Sequence, residues 1–128
     1  MPTASSFDYA IVRVVPLVER GEFVNVGVIL FCRPRRFLEA RMMESGAERL
    51  KSLAPGLDVA MLQGQFDLVR RLCAGGDGAG PIGRLGQAER FHWLVAPRST
   101  VVQISPVHCG LCTDPQAALD SLFEKLVA

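Results

Sequence analysis

The sequence predicts an α+β fold, in which an antiparallel sheet of about four strands has three to four helices packed on it. The first observation behind this prediction is the segment 23–32, whose side chains are apolar on both alternating faces, as is typical of a strand buried on both sides. The second is a change after Met43 from alternating to helical spacing of apolar residues. Strands that precede a block of helices, instead of alternating with them, indicate the α+β class.

The N-terminal segment is predicted to form a three-stranded meander. Its first strand spans 7–18. The polar turn 19–22 contains Gly, so the first strand and 23–32 are predicted to pair as an antiparallel hairpin. The arginine-rich turn 33–36 leads into a third strand, 37–42. The arginines of that turn are predicted to be solvated and to protect a sheet edge, with anion binding as the alternative.

Asn25 and Gly27 interrupt the apolar pattern of the central strand, and strict alternation places both on the same face. A glycine inside a strand marks a bulge or a close approach of another part of the chain. We therefore expect a helix or loop to approach Gly27. Asn25 is a candidate ligand-binding residue.

Two helices are predicted directly after the meander. Ser45 and Glu48 fit a capping box for a helix that ends at 55–56. Asp58 is the predicted N-cap of a second helix, because apolar residues recur at helical spacing from 59 to 73.

The C-terminal part of the chain mixes element types. Segment 87–95 favours a short helix over a strand, and 100–105 is predicted to be a fourth strand of the same sheet. A loop is predicted at 106–112. Asp114 followed by Pro115 is a typical start for the amphipathic helix that ends the chain.

The length of 128 residues and the absence of a dividing linker predict one domain over 1–128. Segment 75–86 contains six glycines and is predicted to be a flexible loop. Within it, 78–83 has the letters of a dinucleotide-binding fingerprint. That interpretation fails because the segment follows a helix instead of a strand and contains Pro where a helix should begin.

Composition and charge exclude several classes of function. Lysines and arginines number 14 against 13 acidic residues, and this near balance disfavours a dedicated nucleic-acid-binding protein. No apolar run approaches the roughly 18 residues of a membrane span, and no signal peptide is evident. We therefore expect a cytoplasmic protein with reduced cysteines and no cofactor. The sequence leaves the oligomeric state open, a homo-oligomer included.

A single Cys-x-x-Cys motif, Cys109 to Cys112, is the sharpest local signal. Such a motif forms a redox pair or half of a metal site. A structural zinc site needs four ligands; His92 and His108 could complete the set only by folding together, and there is no second Cys-x-x-Cys. Ordinary loop cysteines and no metal are the favoured interpretation.

The two histidines lie close in sequence to residues that bind phosphate in other proteins. Arg98 can present a guanidinium fork to an anion, and a catalytic role would make His92 or His108 an acid or a base. Caps, turns and core packing are the alternative roles of this group. The candidate ligand-binding residues are Arg90, Arg98, Ser99, Thr100 and Asn25.

Several segments taken together resemble the bacterial family called domain of unknown function three-zero-three-seven, over nearly the whole chain. The family pattern has Thr at the position of Cys109, and this departure weakens the metal and redox interpretations further. The resemblance also implies a genomic association with HipA-like kinases, and no activity is implied. The segments that carry it are 9–16 with 21–28, 80–83 with 89–94, and 96–100 with 105–112.

Two functional hypotheses follow. The first is a non-catalytic module that binds another protein, with a HipA-like kinase as the first candidate. The second is a small enzyme or ligand-binding domain that acts on an anionic, phosphate-bearing substrate through His92, Arg98 and His108. Clustering of these three side chains in a cleft would favour the second hypothesis, and their separation together with an exposed apolar patch elsewhere would favour the first.

Overall fold

The computed structural model describes residues 3–15, 23–43, 50, 56, 58–96 and 101–127, and it confirms the α+β class. Over these residues the chain forms a five-stranded antiparallel sheet and four helices. The strands are β1 (Ser5–Val14), β2 (Val24–Cys32), β3 (Phe37–Met42), β4 (Val102–Ile104) and β5 (His108–Cys112). The helices are α1 (Val59–Ala74), α2 (Gly80–Gly83), α3 (Gln87–Val95) and α4 (Pro115–Leu126).

Strand β1 pairs with three other strands, more than any other strand of the described sheet. One edge pairs with β2, which pairs in turn with β3, so the predicted meander is confirmed. The other edge is shared by β4, opposite residues 12–14, and β5, opposite residues 5–9. The prediction of a loop over 106–112 is therefore wrong. Pairing with β1 orders this segment as a strand, although its own residues, with Gly110 in the middle, show no apolar alternation.

Ser105, between β4 and β5, continues the hydrogen bonding to β1 where the chain passes from one strand to the next. The next residue, Pro106, has no N–H to donate. The Ser105 hydroxyl accepts a hydrogen bond from the Ile11 N–H at 2.8 Å, and the Ser105 N–H donates to the Ile11 carbonyl at 2.9 Å. Ser105 is almost fully buried, so without this hydroxyl the Ile11 N–H would lose its partner inside the protein.

The sheet is covered on both faces, and each face has its own core. Helices α1 and α3 cover one face with a large apolar cluster that includes Phe66 and Phe91. Helix α4 covers the other face, packing over β2 and β3 around Leu119. Burial on both sides explains why the central strand is apolar at nearly every position.

A β-bulge at Val26 reverses the direction of the β2 side chains. Val12 lies opposite Gly27 while Arg13 lies opposite Asn25, so Val26 is the extra residue. The predicted strict alternation is therefore wrong at this point. Val24 and Val26 face the α1 core together with residues 29 and 31, whereas residues 28, 30 and 32 face α4.

The bulge also separates Asn25 from Gly27, which the sequence placed on one face. Asn25 faces α4, and its amide Nδ2 donates to the Leu126 carbonyl at 3.1 Å. A Cβ on Gly27 would instead collide with the Met42 side chain and lie 3.0 Å from the Arg41 carbonyl oxygen. The close approach at Gly27 comes from the neighbouring strand β3, and not from a helix or loop.

Both predicted N-caps in the described region are confirmed. Asp58 accepts a hydrogen bond from the Met61 N–H at 3.0 Å, and Asp114 accepts from the Gln116 N–H at 3.1 Å. The predicted helix over 87–95 is confirmed as well.

Two further predictions have a different outcome. The helix predicted from Ser45 lies outside the described residues, apart from Leu50, which is buried in the α1 core. The glycine-rich segment 75–86 contains a 3₁₀ turn, Asp77–Ala79, and the short helix α2. Its flexibility stays a prediction.

The first testable prediction concerns Gly27. Gly27→Val should lower the free energy of unfolding by roughly 1–3 kcal/mol, because the added side chain enters space already filled by Met42 and the β3 backbone. Chemical denaturation followed by circular dichroism measures this. Gly64→Val is the matched control, since Gly64 is exposed on α1 with nothing within 4 Å of an added Cβ. An equally small effect of both substitutions would contradict the packing at Gly27.

Candidate functional site

Arg90 is buried and its guanidinium joins two helices. Nη1 donates to the Leu72 and Cys73 carbonyls at 2.8 and 2.7 Å, and Nε donates to the Leu85 carbonyl at 2.9 Å. The first two carbonyls belong to the last turn of α1, where the helix dipole favours a positive charge. The guanidinium that the sequence suggested for ligand binding therefore caps a helix from within the protein.

Gly75 makes room for this cap. It ends α1 with φ +78°, in the left-handed region that favours glycine, and a Cβ there would lie 2.5 Å from Arg90 Nη1. The glycine thus meets a backbone requirement and a space requirement at once.

The two histidines lie on opposite faces of the sheet. His108 is on β5, and its ring lies 5.4 Å from the Tyr9 ring, on the face covered by α4. His92 is exposed on α3, beside Phe91, which belongs to the core of the other face. The sheet therefore stands between the two imidazoles, and they do not line one cleft. Arg98, Ser99 and Thr100 lie outside the described residues.

The Cys-x-x-Cys motif lies on strand β5, which determines where its thiols point. Cys109 pairs with Asp8 and Cys112 pairs with Ser5, an odd offset that directs the two side chains to opposite faces. Three residues of strand also separate their Cα atoms by about 10 Å. The pair therefore lacks the geometry of a shared metal site or a redox disulfide.

The arginine-rich turn after β2 is a 3₁₀ turn with exposed side chains, as predicted. Arg35 donates to the Thr3 carbonyl at 2.7 Å and to the Ser5 hydroxyl at 3.1 Å, so it holds the N-terminal segment. Arg36 borders a cleft of about 460 Å³ between β3 and the helices. That cleft also contains Glu39, and its Arg70 forms an ion pair with Asp67, so the cleft is not uniformly positive.

Strand β5 is an edge strand of unusual composition. In the described part of the chain it pairs only with β1, and its five residues carry no carboxylate and no Lys or Arg. Leu111 is 74% exposed. Beside it lies a shallow hollow of about 430 Å³, which is lined by residues of β5 and α4 that include Leu111, Cys112, Ala117 and Ala118.

A row of polar side chains crosses the α4 face of the sheet. Arg13 of β1 lies between Asn25 of β2 and Gln103 of β4, its partners in the two registers. Sequence analysis selected Asn25 but missed Arg13, which looked like an ordinary polar residue of a strand. Only the bulge brings Asn25 into register with Arg13, so the polar row could not be predicted from the position of either residue in the sequence.

Removal of the Arg90 guanidinium should be costly. Arg90→Met is expected to lower the free energy of unfolding by about 3 kcal/mol or more, because two buried carbonyl groups and one partly buried carbonyl group lose a charged donor. Arg71→Met, at an exposed position of the same last turn, is the control and should stay within about 0.5 kcal/mol of the wild type. Similar melting temperatures for both variants would show that the cap is dispensable.

The four thiols should differ in reactivity. Burial raises the pKa of the Cys73 thiol to about 12, an effect that Arg90 partly opposes and Glu39 reinforces, so Cys73 stays protonated at neutral pH. A thiol reagent at pH 8 should label exposed Cys109 and spare Cys73 until the protein unfolds. All four cysteines should react after denaturation without reductant. Labelling of Cys73 in folded Cys109→Ser protein would contradict its burial.

Comparison with known proteins identifies the family. No curated protein and no solved structure matches the chain. In the described residues, no helix has the length and apolar character needed to cross a membrane. Residues 9–127 match the family described as protein of unknown function (DUF3037). The matched range includes almost all of the described sheet and helices. The chain therefore belongs to the DUF3037 family.

Proposed function

We propose that this domain is a non-catalytic protein-binding module that receives an extended segment of its partner along β5. The observation that carries the proposal is the uncharged edge of the sheet at His108–Cys112, with Leu111 74% exposed on it. An edge strand presents unpaired N–H and C=O groups, and an added strand from another protein satisfies them.

The two edges of the sheet differ in the way that this proposal requires. The opposite edge strand, β3, carries Glu39 and Arg41, and α1 packs beside it. Arg41 also forms an ion pair with Asp120 of α4 at 3.1 Å. Charged side chains of this kind protect an edge against further pairing. Strand β5 has no such protection, which favours it as the surface for a partner.

The apolar hollow beside β5 adds side-chain recognition to backbone pairing. Its lining by Ala117 and Ala118 of α4 suits an aliphatic side chain of the incoming segment. Backbone hydrogen bonds give such complexes affinity, and pockets for alternate side chains give them specificity. The partner segment is therefore expected to be uncharged and to place one aliphatic residue beside α4.

A HipA-like kinase in the bacterial cytoplasm is the first candidate partner. The family resemblance supports this choice through the genomic association that it implies. The alternative, an enzyme that uses His92, Arg98 and His108 together on a phosphate-bearing substrate, has less support because the sheet lies between the two histidines.

Co-expression with a HipA-like kinase tests the proposal. The two proteins should elute together from gel filtration at micromolar concentration, and Leu111→Arg should separate them without lowering the melting temperature, because Leu111 is exposed and contributes little to the core. Leu85→Arg is the matched control. It introduces the same charge at another exposed leucine, after α2, and should leave the complex intact.

Two results would count against the module. Separate elution of the wild-type proteins would exclude this kinase as the partner. Turnover of a phosphorylated metabolite that is lost in His108→Ala would favour the enzyme instead.

A further inference from the structure

The polar row on the α4 face contains two groups that the fold leaves incomplete. Arg13 Nε and Asn25 Oδ1 are both buried, and neither has a hydrogen-bond partner among the described residues. One is a donor and the other an acceptor. Buried polar atoms are nearly always paired, so two orphans on adjacent, registered residues mark hydrogen-bonding capacity that the described part of the chain leaves unused.

The remaining parts of both side chains are held in place. The Asn25 Nδ2 group donates to the Leu126 carbonyl at the end of α4, which fixes the amide plane and turns Oδ1 away from the helix. The Arg13 guanidinium carbon lies 4.1 Å from the centroid of the Phe23 ring. The two orphan atoms therefore belong to side chains that other contacts hold in place.

We propose that Arg13 and Asn25 form a binding site for a carboxamide or peptide amide group. Such a group offers a carbonyl oxygen to the Arg13 Nε–H and an N–H to Asn25 Oδ1, which satisfies both orphans. A carboxylate or phosphate would satisfy only Arg13 and would set a negative oxygen against the Asn25 carbonyl oxygen. The site is thus selective for a neutral amide although it contains an arginine.

Phe23 is the cover of this site. Its ring lies over the Arg13 guanidinium and is 49% exposed, so we expect outward rotation of this side chain to uncover the guanidinium. A ligand with an aromatic ring attached to the amide can take the place of the Phe23 ring on the guanidinium. The site is separate from the β5 edge, so it does not depend on the proposed protein partner.

Benzamide and benzoate form a matched pair of probes, because they share one shape and differ in NH₂ against O⁻. In NMR titrations of the full chain, benzamide should shift the Arg13 Nε–Hε and Asn25 side-chain resonances with a dissociation constant on the order of millimolar. Benzoate should shift them at least about tenfold more weakly, a difference of about 1.4 kcal/mol. This comparison uses the wild-type protein and needs no variant to fold.

Variants test whether the benzamide shifts arise at the Arg13–Asn25 site. Arg13→Lys and Asn25→Leu should each abolish the benzamide shifts, while Tyr9→Phe, on the same face of β1 but outside the row, should keep them. Circular dichroism checks that each variant is folded. The absence of saturable shifts with benzamide would overturn the site, and an equal or tighter response to benzoate would overturn its amide selectivity.

Discussion

The ladder between β1 and β2, with its bulge at Val26, governs how both cores of the protein are filled. It determines which β2 side chains enter the α1 core and which lie under α4. Because the side-chain period of a strand is two, one extra residue exchanges the faces of everything that precedes it. Without the bulge, Val24 and Val26 would lie under the end of α4, and Asn25 would be forced into the larger apolar core.

The buried cation of Arg90 shows how this small domain connects its helices. A guanidinium that donates to the end of α1 and to the Leu85 carbonyl fixes α3 against α1, with no carboxylate among its partners in the described residues. This cap also explains why glycine stands at position 75, because the missing side chain leaves room for the Arg90 guanidinium. Arginine in this chain is thus a structural donor at Arg90 and Arg35, and its presence alone does not indicate an anion-binding site.

Functional potential is concentrated where the fold leaves hydrogen-bonding groups unused. Among the described residues, strand β5 leaves main-chain groups at an edge whose own side chains carry no carboxylate, Lys or Arg, and the row leaves Arg13 Nε and Asn25 Oδ1 without a partner. Both places are built on β1, the strand that also carries the bulged ladder. A partner at the edge would therefore bind the strand that pairs with β1, and a ligand at the row would contact β1 itself.

Local patterns in the sequence were enough to predict the fold class, the meander and the two helices that begin at the N-caps Asp58 and Asp114. Local rules suffice there, because Asp58 and Asp114 act on N–H groups within three residues of themselves. The sequence also indicated that Gly27 is a special position, since a glycine within an apolar strand marks a bulge or a close approach.

Only the tertiary structure showed that 108–112 is a strand and which β2 side chains face each core. It alone also showed which residues lie next to each candidate residue. Strand β5 is ordered by pairing with a segment about 100 residues away in sequence, for which its own residues carry no pattern. The registers of both β1 ladders place Arg13 between Asn25 and Gln103, and the sheet itself separates His92 from His108. Such relations depend on long-range register, which a one-residue shift changes completely and which no local spacing records.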